Sequence, residues 1–289
     1  MPPASPSLDA LRREIDEIDA AIHDLIMRRG RVVERMAHSK AGAKVFIRPG
    51  REASILRRLI GRHQGAVPVA AIVRIWREMI AAMTLIQGPF AVAVYAPGDD
   101  RGLWDIARDH YGTVTPLTPV NTTQGVLRAL ADGSATVGVV PVPQEEETDP
   151  WWRFLISDDT KTPKIIGRLP FTARPGGQRE GGDALILGAV PLEATGQDHT
   201  LLGVELAQDM SRGRLKDMME AASLPVGWFR IFHQPGGGGS VHLIEVEDYV
   251  DGNDARLAAL AEKLGDALVR VLPVGAYALP VSLEPSRKA

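Results

Sequence analysis

The sequence of 289 residues contains no cysteine, which removes disulfides, thiolate chemistry and cysteine-ligated metals together. It also lacks any uninterrupted apolar stretch long enough to span a bilayer, and "MPPASPSLDALRRE" has no apolar signal-peptide core. The reading is therefore a cytoplasmic protein with no membrane partner. The seven histidines are scattered singly and none forms an H-x-x-x-H pair, so a histidine metal site is not expected, nor is any other metal or cofactor. With a net charge of −3 and no long basic run, nothing argues for a nucleic-acid surface. Any anion site must be a local cluster of arginine and lysine.

What is present is an ordinary globular composition, 45% hydrophobic and 24% charged, with enough length for two or three small domains. Leu8, Leu11, Ile15, Ile18, Ile22, Leu25, Val32 and Met36 follow alternating steps of three and four residues, marking one face of a long helix that runs to about Gly42. Ser5 or Ser7 is placed to cap it, with Asp9 in the first turn. Pro49 and Gly50 read as a turn before a short helix in "REASILRRLIGRH". A third helix begins near Pro68, shows Ile72, Ile75, Met79, Met83 and Ile86 at helical spacing, and ends at Gly88 and Pro89.

From Phe90 the period changes. "FAVAVYAP", "VTPLTPV", "VGVVPVP", "KIIGRLPF" and "ALILGAVPL" are short strand-like runs with helical segments between the first three, which suggests a sheet with largely parallel pairing. "PGGQREGG" reads as a linker or loop tip. The last part reads strand, helix, strand, strand, helix, strand, the order of a ferredoxin-like βαββαβ unit, with "PGGGGS" as a hairpin loop between its middle strands. The fold class is thus multidomain, α plus α/β: a three-helix unit over 1–88, a small α/β domain over 90–192 and the βαββαβ unit over 198–282.

Two cations interrupt the apolar stripe of the first helix. Arg29 fills a gap in the 3/4 pattern, and four residues past Met36 the pattern lands on Lys40. Such residues often sit at a stripe's edge and reach water, but Arg12, Arg29, Lys40, Arg48, Arg51 and Glu52 accumulate around one small helical unit. The 11 positions from Arg29 to Lys40 span roughly 16 Å, so their side chains could converge on a small dicarboxylate. Arg12 lies 17 positions before Arg29, roughly 25 Å down a straight helix, and can share that site only from a second copy of the chain. A homodimer of long helices is the consequence.

The stretch "LDALRREIDEIDAAIHDLIMRRGRVVERMAHSK", followed by "RPGRE" and "IWREMIAAMTLIQ", resembles the all-helical chorismate mutase family over residues 8–87. The resemblance implies chorismate as substrate and prephenate as product. It implies Arg12, Arg29 and Arg51, with Arg48 beside them, as substrate-binding residues, and Lys40, Glu52 and Gln87 as the catalytic set: Lys40 and Gln87 on the breaking ether oxygen, Glu52 on the substrate hydroxyl. Pro49 stands where many members have Asp, and Met83 where some have Ser.

Beyond Phe90, "VAVYAPG" and "RALADGSATVGVVPV" resemble the prephenate dehydratase half of bifunctional chorismate mutase–prephenate dehydratases, which ends in an ACT-type regulatory domain. Only 27 residues run from Lys164 to the end of "ALILGAV", too few for that family's second lobe. Asp183, Ala184 and Leu185 occupy the place of its catalytic Thr-Arg-Phe, and its effector motif is matched only at Pro235. The expectation is a mutase whose residues 90–289 contribute no chemistry. The alternatives are a bifunctional enzyme with an unrecognised second site, a non-catalytic ligand-binding regulatory protein, and a lyase acting on isochorismate, which shares the helical fold.

Overall fold

The computed structural model describes residues 6–39, 46–145, 147, 150–173, 182–234 and 239–282. Lys40, Pro235 and most of "PGGQREGG" lie outside the described residues. No described helix is long and apolar enough to cross a membrane.

Helix α1 spans Leu8–Ser39, α2 Pro49–Gly61 and α3 Val69–Gln87. The Ser7 hydroxyl accepts from the Ala10 amide at 3.2 Å, satisfying one of the donors a helix start leaves open. Pro49 and Gly50 do not precede α2 as a turn; they form its first turn, where the amide hydrogen that proline lacks would have no partner in any case. After α3 the chain passes Gly88, where the ring of Phe46 fills the space a Cβ would need.

The apolar stripe of α1 exists but faces outward in the single chain. Its Leu8, Leu11, Ile15, Ile18, Ile22 and Leu25 are 41–63% exposed, and Val33 is the one buried residue of the helix. On α3 the expected stripe is the buried one only in part: Met83 is buried and Ile75 and Ile86 are 56% and 43% exposed, and Val73, Arg77, Ile80, Ala81 and Thr84 make up the rest of the buried face. A helix apolar on two sides offers two faces of correct period, and periodicity does not say which one meets a neighbour.

The α/β part runs β1 (Val92–Tyr95), α4 (Gly102–Tyr111), β2 (Leu117–Val120), α5 (Thr123–Ala131), β3 (Val137–Pro141), a 3-10 turn at Trp151–Leu155, β4 (Lys164–Leu169), β5 (Thr172–Ala173) and β6 (Ala184–Gly188). Then come β7 (Asp198–Leu206), α6 (Arg212–Ala221), β8 (Val226–His233), β9 (Ser240–Val246), α7 (Ala255–Leu264), β10 (Leu268–Ala278) and β11 (Val281–Ser282). Nine strands form one sheet in the order β2-β1-β3-β6-β4-β10-β7-β9-β8, and β5 pairs separately with β11. Pairing is parallel within β2·β1·β3 and at β4·β10, but β6 is antiparallel to both β3 and β4. The expectation of a largely parallel sheet therefore holds over β2·β1·β3, where α4 and α5 supply crossovers, and at the single β4·β10 pairing; among the described residues no α-helix joins β3, β4 and β6, and those strands reverse. Pro119 is accommodated because β2 is an edge strand.

The run β7-α6-β8-β9-α7-β10 pairs antiparallel throughout in the order β10-β7-β9-β8. It is joined to the first half of the sheet by the pairing of Gly275 with Ile165. Glycine is required there, since a Cβ on residue 275 would collide with the Ile165 backbone oxygen.

Alternation along the strands divides the interior. Ala93, Leu185, Leu187, Ile165, Leu201 and Leu243 line one face with Trp151 and Trp152. On the other face, Leu202, Val204, Ile244 and Val246 pack against Leu215, Met219, Leu257 and Leu260 of α6 and α7. On that same side, at the sheet's other half, Val92, Val94, Val137, Val139, Ile166 and Ile186 share a core with Ile106 of α4 and with Ala53, Leu56 and Val73 of α2 and α3. Leu56 is fully buried there, contributing about 1.5–3 kcal/mol. The apolar undersides of α2 and α3 are thus buried in the α/β core.

Candidate functional site

Arg29 sits where α1 crosses α3: the next residue, Gly30, faces the Met83 thioether. Its Nη1 is buried and has no hydrogen-bond acceptor among the described residues, and burial pushes the guanidinium pKa down. One turn beyond Met83, Gln87 is half-buried and donates from Nε2 to the Met83 carbonyl oxygen at 3.2 Å. Arg29 thus lies at the α1–α3 contact, and Gln87 one turn further along α3. Arg12 lies far down α1, exposed, donating to Asp9 at 3.2 Å.

The expected site residues of α2 are turned differently. Arg51 is exposed. Arg48 donates from Nη2 and Nε to Glu193 Oε1 at 2.5 and 3.0 Å, an exposed pair. Glu52 faces the α/β body: its Oε2 accepts from Arg77 Nη1 at 2.9 Å. Arg77 is only 5% exposed, and its guanidinium lies 4.8 Å from the centre of the Phe171 ring. Burial pushes the Glu52 carboxyl up and the Arg77 guanidinium down, each opposed by the charge and hydrogen bond of the other. His110 beside them is held well below its usual range by burial and by the Arg77 charge, and stays neutral at neutral pH. A cavity of about 140 Å³ opens between Arg77, Arg74, His110 and Phe171, on the α3–α4 side and away from α1.

Sequence reading missed Arg77. The signal was the one that singled out Arg29, a cation in an apolar helical face, but it belongs to the Val73–Ile80–Thr84 face and not to the stripe that was read. It also missed Arg57, whose acceptors lie more than a hundred residues away.

A second polar group ties the two halves of the sheet. Arg168 donates to Asp183 Oδ2 at 2.7 Å and to the Tyr277 hydroxyl at 3.2 Å. The Tyr277 hydroxyl donates to Glu245, which His199 also approaches at 3.3 Å. Burial would raise the Glu245 pKa, but the hydrogen bonds from His199 and Tyr277, with the nearby charges of His199 and Arg168, hold it below its usual value. Ala184 and Leu185, beside Asp183, are buried apolar residues of β6.

An all-helical unit with cations on its long helix is what the chain presents over its first three helices. Residues 11–88 match the family Chorismate mutase type II, and the chain carries a domain of that family. Among curated proteins it is similar to the bifunctional chorismate mutase/prephenate dehydratase of Pseudomonas aeruginosa, 31% identical over 146 residues, covering 48% of this chain and 40% of that protein. The same-named protein of Aquifex aeolicus is 31% identical over 140 residues, covering 47% and 38%. The chain therefore spans about two-fifths of the length of the curated relatives it matches. Among solved structures, a prephenate dehydratase from Streptococcus mutans aligns over 66% of this chain and 99% of its own, with 13% identity and a TM-score of 0.47.

Proposed function

We propose that the chain is a chorismate mutase of aromatic amino acid biosynthesis, converting chorismate to prephenate, and that its α/β region carries no second chemistry. The observation that supports this most directly, beyond the family match, is Arg29: a guanidinium whose buried Nη1 is unpaired among the described residues, at the contact of α1 and α3. Left alone, such a group is costly. A substrate carboxylate supplies the acceptor it needs.

The reaction is a concerted rearrangement, so it needs no nucleophile and no metal. Arginines on the two carboxylates of chorismate hold the extended diene in its compact reactive conformation. Arg29 and Arg51 do this from one chain and Arg12 from its partner. Arg48 joins them by leaving its exposed pair with Glu193, a pair of the kind worth at most about 1 kcal/mol. Negative charge that grows on the ether oxygen in the transition state is met by Lys40 and Gln87. Glu52 keeps Arg77 on Oε2 and offers Oε1 to the substrate hydroxyl, since one carboxylate has room for both.

The partner is a second copy of the chain. Six exposed Leu and Ile side chains in one line on α1 form a longer apolar strip than a monomer keeps in water. The antiparallel β10-β7-β9-β8 order supports reading residues 198–282 as a ferredoxin-like, ACT-type unit.

The test is to incubate the purified chain separately with chorismate, isochorismate and prephenate at neutral pH. Prephenate is expected from chorismate alone. Saturable phenylpyruvate formation from prephenate would instead establish the bifunctional reading that the relatives' names favour, and products from isochorismate only would establish a lyase. The shared site has its own test: Arg12→Ala and Arg29→Ala chains, each inactive, are mixed under subunit exchange. About a quarter of wild-type activity should return, because half the dimers are mixed and each carries one complete site. No recovery with mixed dimers present would refute the cross-chain role of Arg12.

A further inference from the structure

Helix α2 carries Arg51 and Glu52, yet what fixes its position is the C-terminal region. Leu56 and Ala53 on its underside are buried in the α/β core. Along its outer side Arg57 makes three bonds to distant backbone and side chain: Nη1 to Thr195 Oγ1 at 2.7 Å, and Nη2 to the carbonyl oxygens of Gln197 at 2.9 Å and Leu279 at 3.0 Å.

The receiving loop is itself built. Buried Asp198 accepts from the Thr195 hydroxyl at 2.6 Å and from the amides of Thr195 and Gly196 at 2.6 and 3.0 Å. The Thr195 hydroxyl therefore spends its proton on Asp198 and turns a lone pair to Arg57, which fixes the direction of approach. At its start, α2 meets the same connection again: a Cβ on Gly50 would stand 3.1 Å from the Thr195 methyl group and 3.3 Å from the Glu193 Cβ, so the first turn of α2 lies against the side chains of that connection. These anchors bracket Arg51 and Glu52 on both sides along one rigid helix.

We propose that the β6–β7 connection, acting through Arg57, sets the axial position and roll of α2 and so places Arg51 and Glu52 for the substrate. Arg57 is a positioning residue; it reaches the reaction only through the helix it holds. The inference rests on the mutase reading, and it revises the sequence-based view of residues 90–289: they add no chemistry, but mutase turnover depends on them. The relevant cost is geometric, since a displacement of about 1 Å in a binding group can lower rates by about 10²-fold.

The experiment uses the full chain and measures KM and kcat for chorismate together with circular dichroism and thermal melting. Arg57→Met removes all three donations. Thr195→Val removes the acceptor from a residue that belongs to the α/β region and never meets substrate. A protein that is merely less folded loses apparent kcat at unchanged KM, whereas a displaced α2 raises KM, because Arg51 and Glu52 bind the ground state too. The expected result is a KM raised about tenfold in Arg57→Met and severalfold in Thr195→Val, with partial recovery in Arg57→Lys, whose ammonium can reach one acceptor. Unshifted KM in the folded variants, whatever kcat does, overturns the proposal while an active wild-type chain keeps the mutase reading intact. An inactive wild-type chain overturns both.

Discussion

Replacing Arg29 by alanine is expected to lower chorismate turnover by about 10²–10³-fold, the loss seen when one preorganised donor to a developing or bound anion is removed. The same change should leave the melting temperature unchanged or slightly higher. Its Nη1 is buried without an acceptor among the described residues and burial disfavours its charge, so in the free protein that nitrogen contributes desolvation cost and little bonding. The opposite signs on activity and stability separate a binding residue from a structural one. Arg29→Lys should also be impaired, because an ammonium cannot reproduce the paired donors of a guanidinium. Steady-state kinetics and a thermal melt on the same preparation decide it; wild-type turnover in folded Arg29→Ala refutes the assignment.

The reverse pattern is expected at Arg77. Arg77→Ala should destabilise the full chain by about 3–5 kcal/mol in urea unfolding, the cost of leaving one member of a buried ion pair without the other. Arg77 is nearly inaccessible, bonds Glu52 at 2.9 Å and lies over Phe171, so its removal strands a carboxylate inside the α2–α3–sheet contact. Burial already pushes that carboxyl up, and without Arg77 nothing opposes the shift. Exchanging both partners for apolar residues, as in Arg77→Met with Glu52→Leu, should recover most of the lost stability, since no charge then remains buried. Recovery of stability without recovery of turnover would place Glu52 in the substrate's reach. A loss below about 1 kcal/mol in Arg77→Ala would mean that the pair behaves as an exposed one.

How far the sequence speaks for this fold depends on the range of the interactions involved. The βαββαβ order over residues 198–278 was legible because each strand and helix keeps its own period, and no distant residue is needed to see that "SVHLIEVEDYV" alternates. The stripe of α1 was equally plain, but its pattern does not say whether the rest of the same chain covers it, and in the single chain it stays exposed. On α3 two apolar faces compete, and the choice was made by packing against strands that periodicity cannot see. The join at Ile165 and Gly275 is a single pairing between residues far apart in sequence, and nothing in either strand announces it. The candidate site divides in the same way. Arg29 stands out as a cation within a stripe, while Arg57 donates two of its bonds to carbonyl oxygens, and a backbone acceptor carries no residue-type signature.

The outward stripe of α1 and the shared core of α2 and α3 together impose an order on how the chain matures. During synthesis α1 leaves the ribosome before either of the other two helices, and from Leu8 to Leu25 none of its large apolar residues is buried among the described residues. The undersides of α2 and α3 must wait, because Ala53, Leu56 and Val73 are covered only when strands as late as Ile186 exist. Such non-local contacts form slowly. The three helices are neighbours in sequence but mature on different clocks: α2 and α3 when their own sheet closes and α1, on the dimer proposed above, when another chain arrives. In that interval the nascent protein displays the apolar stripe of a 32-residue helix, the kind of surface that chaperones hold until it is covered.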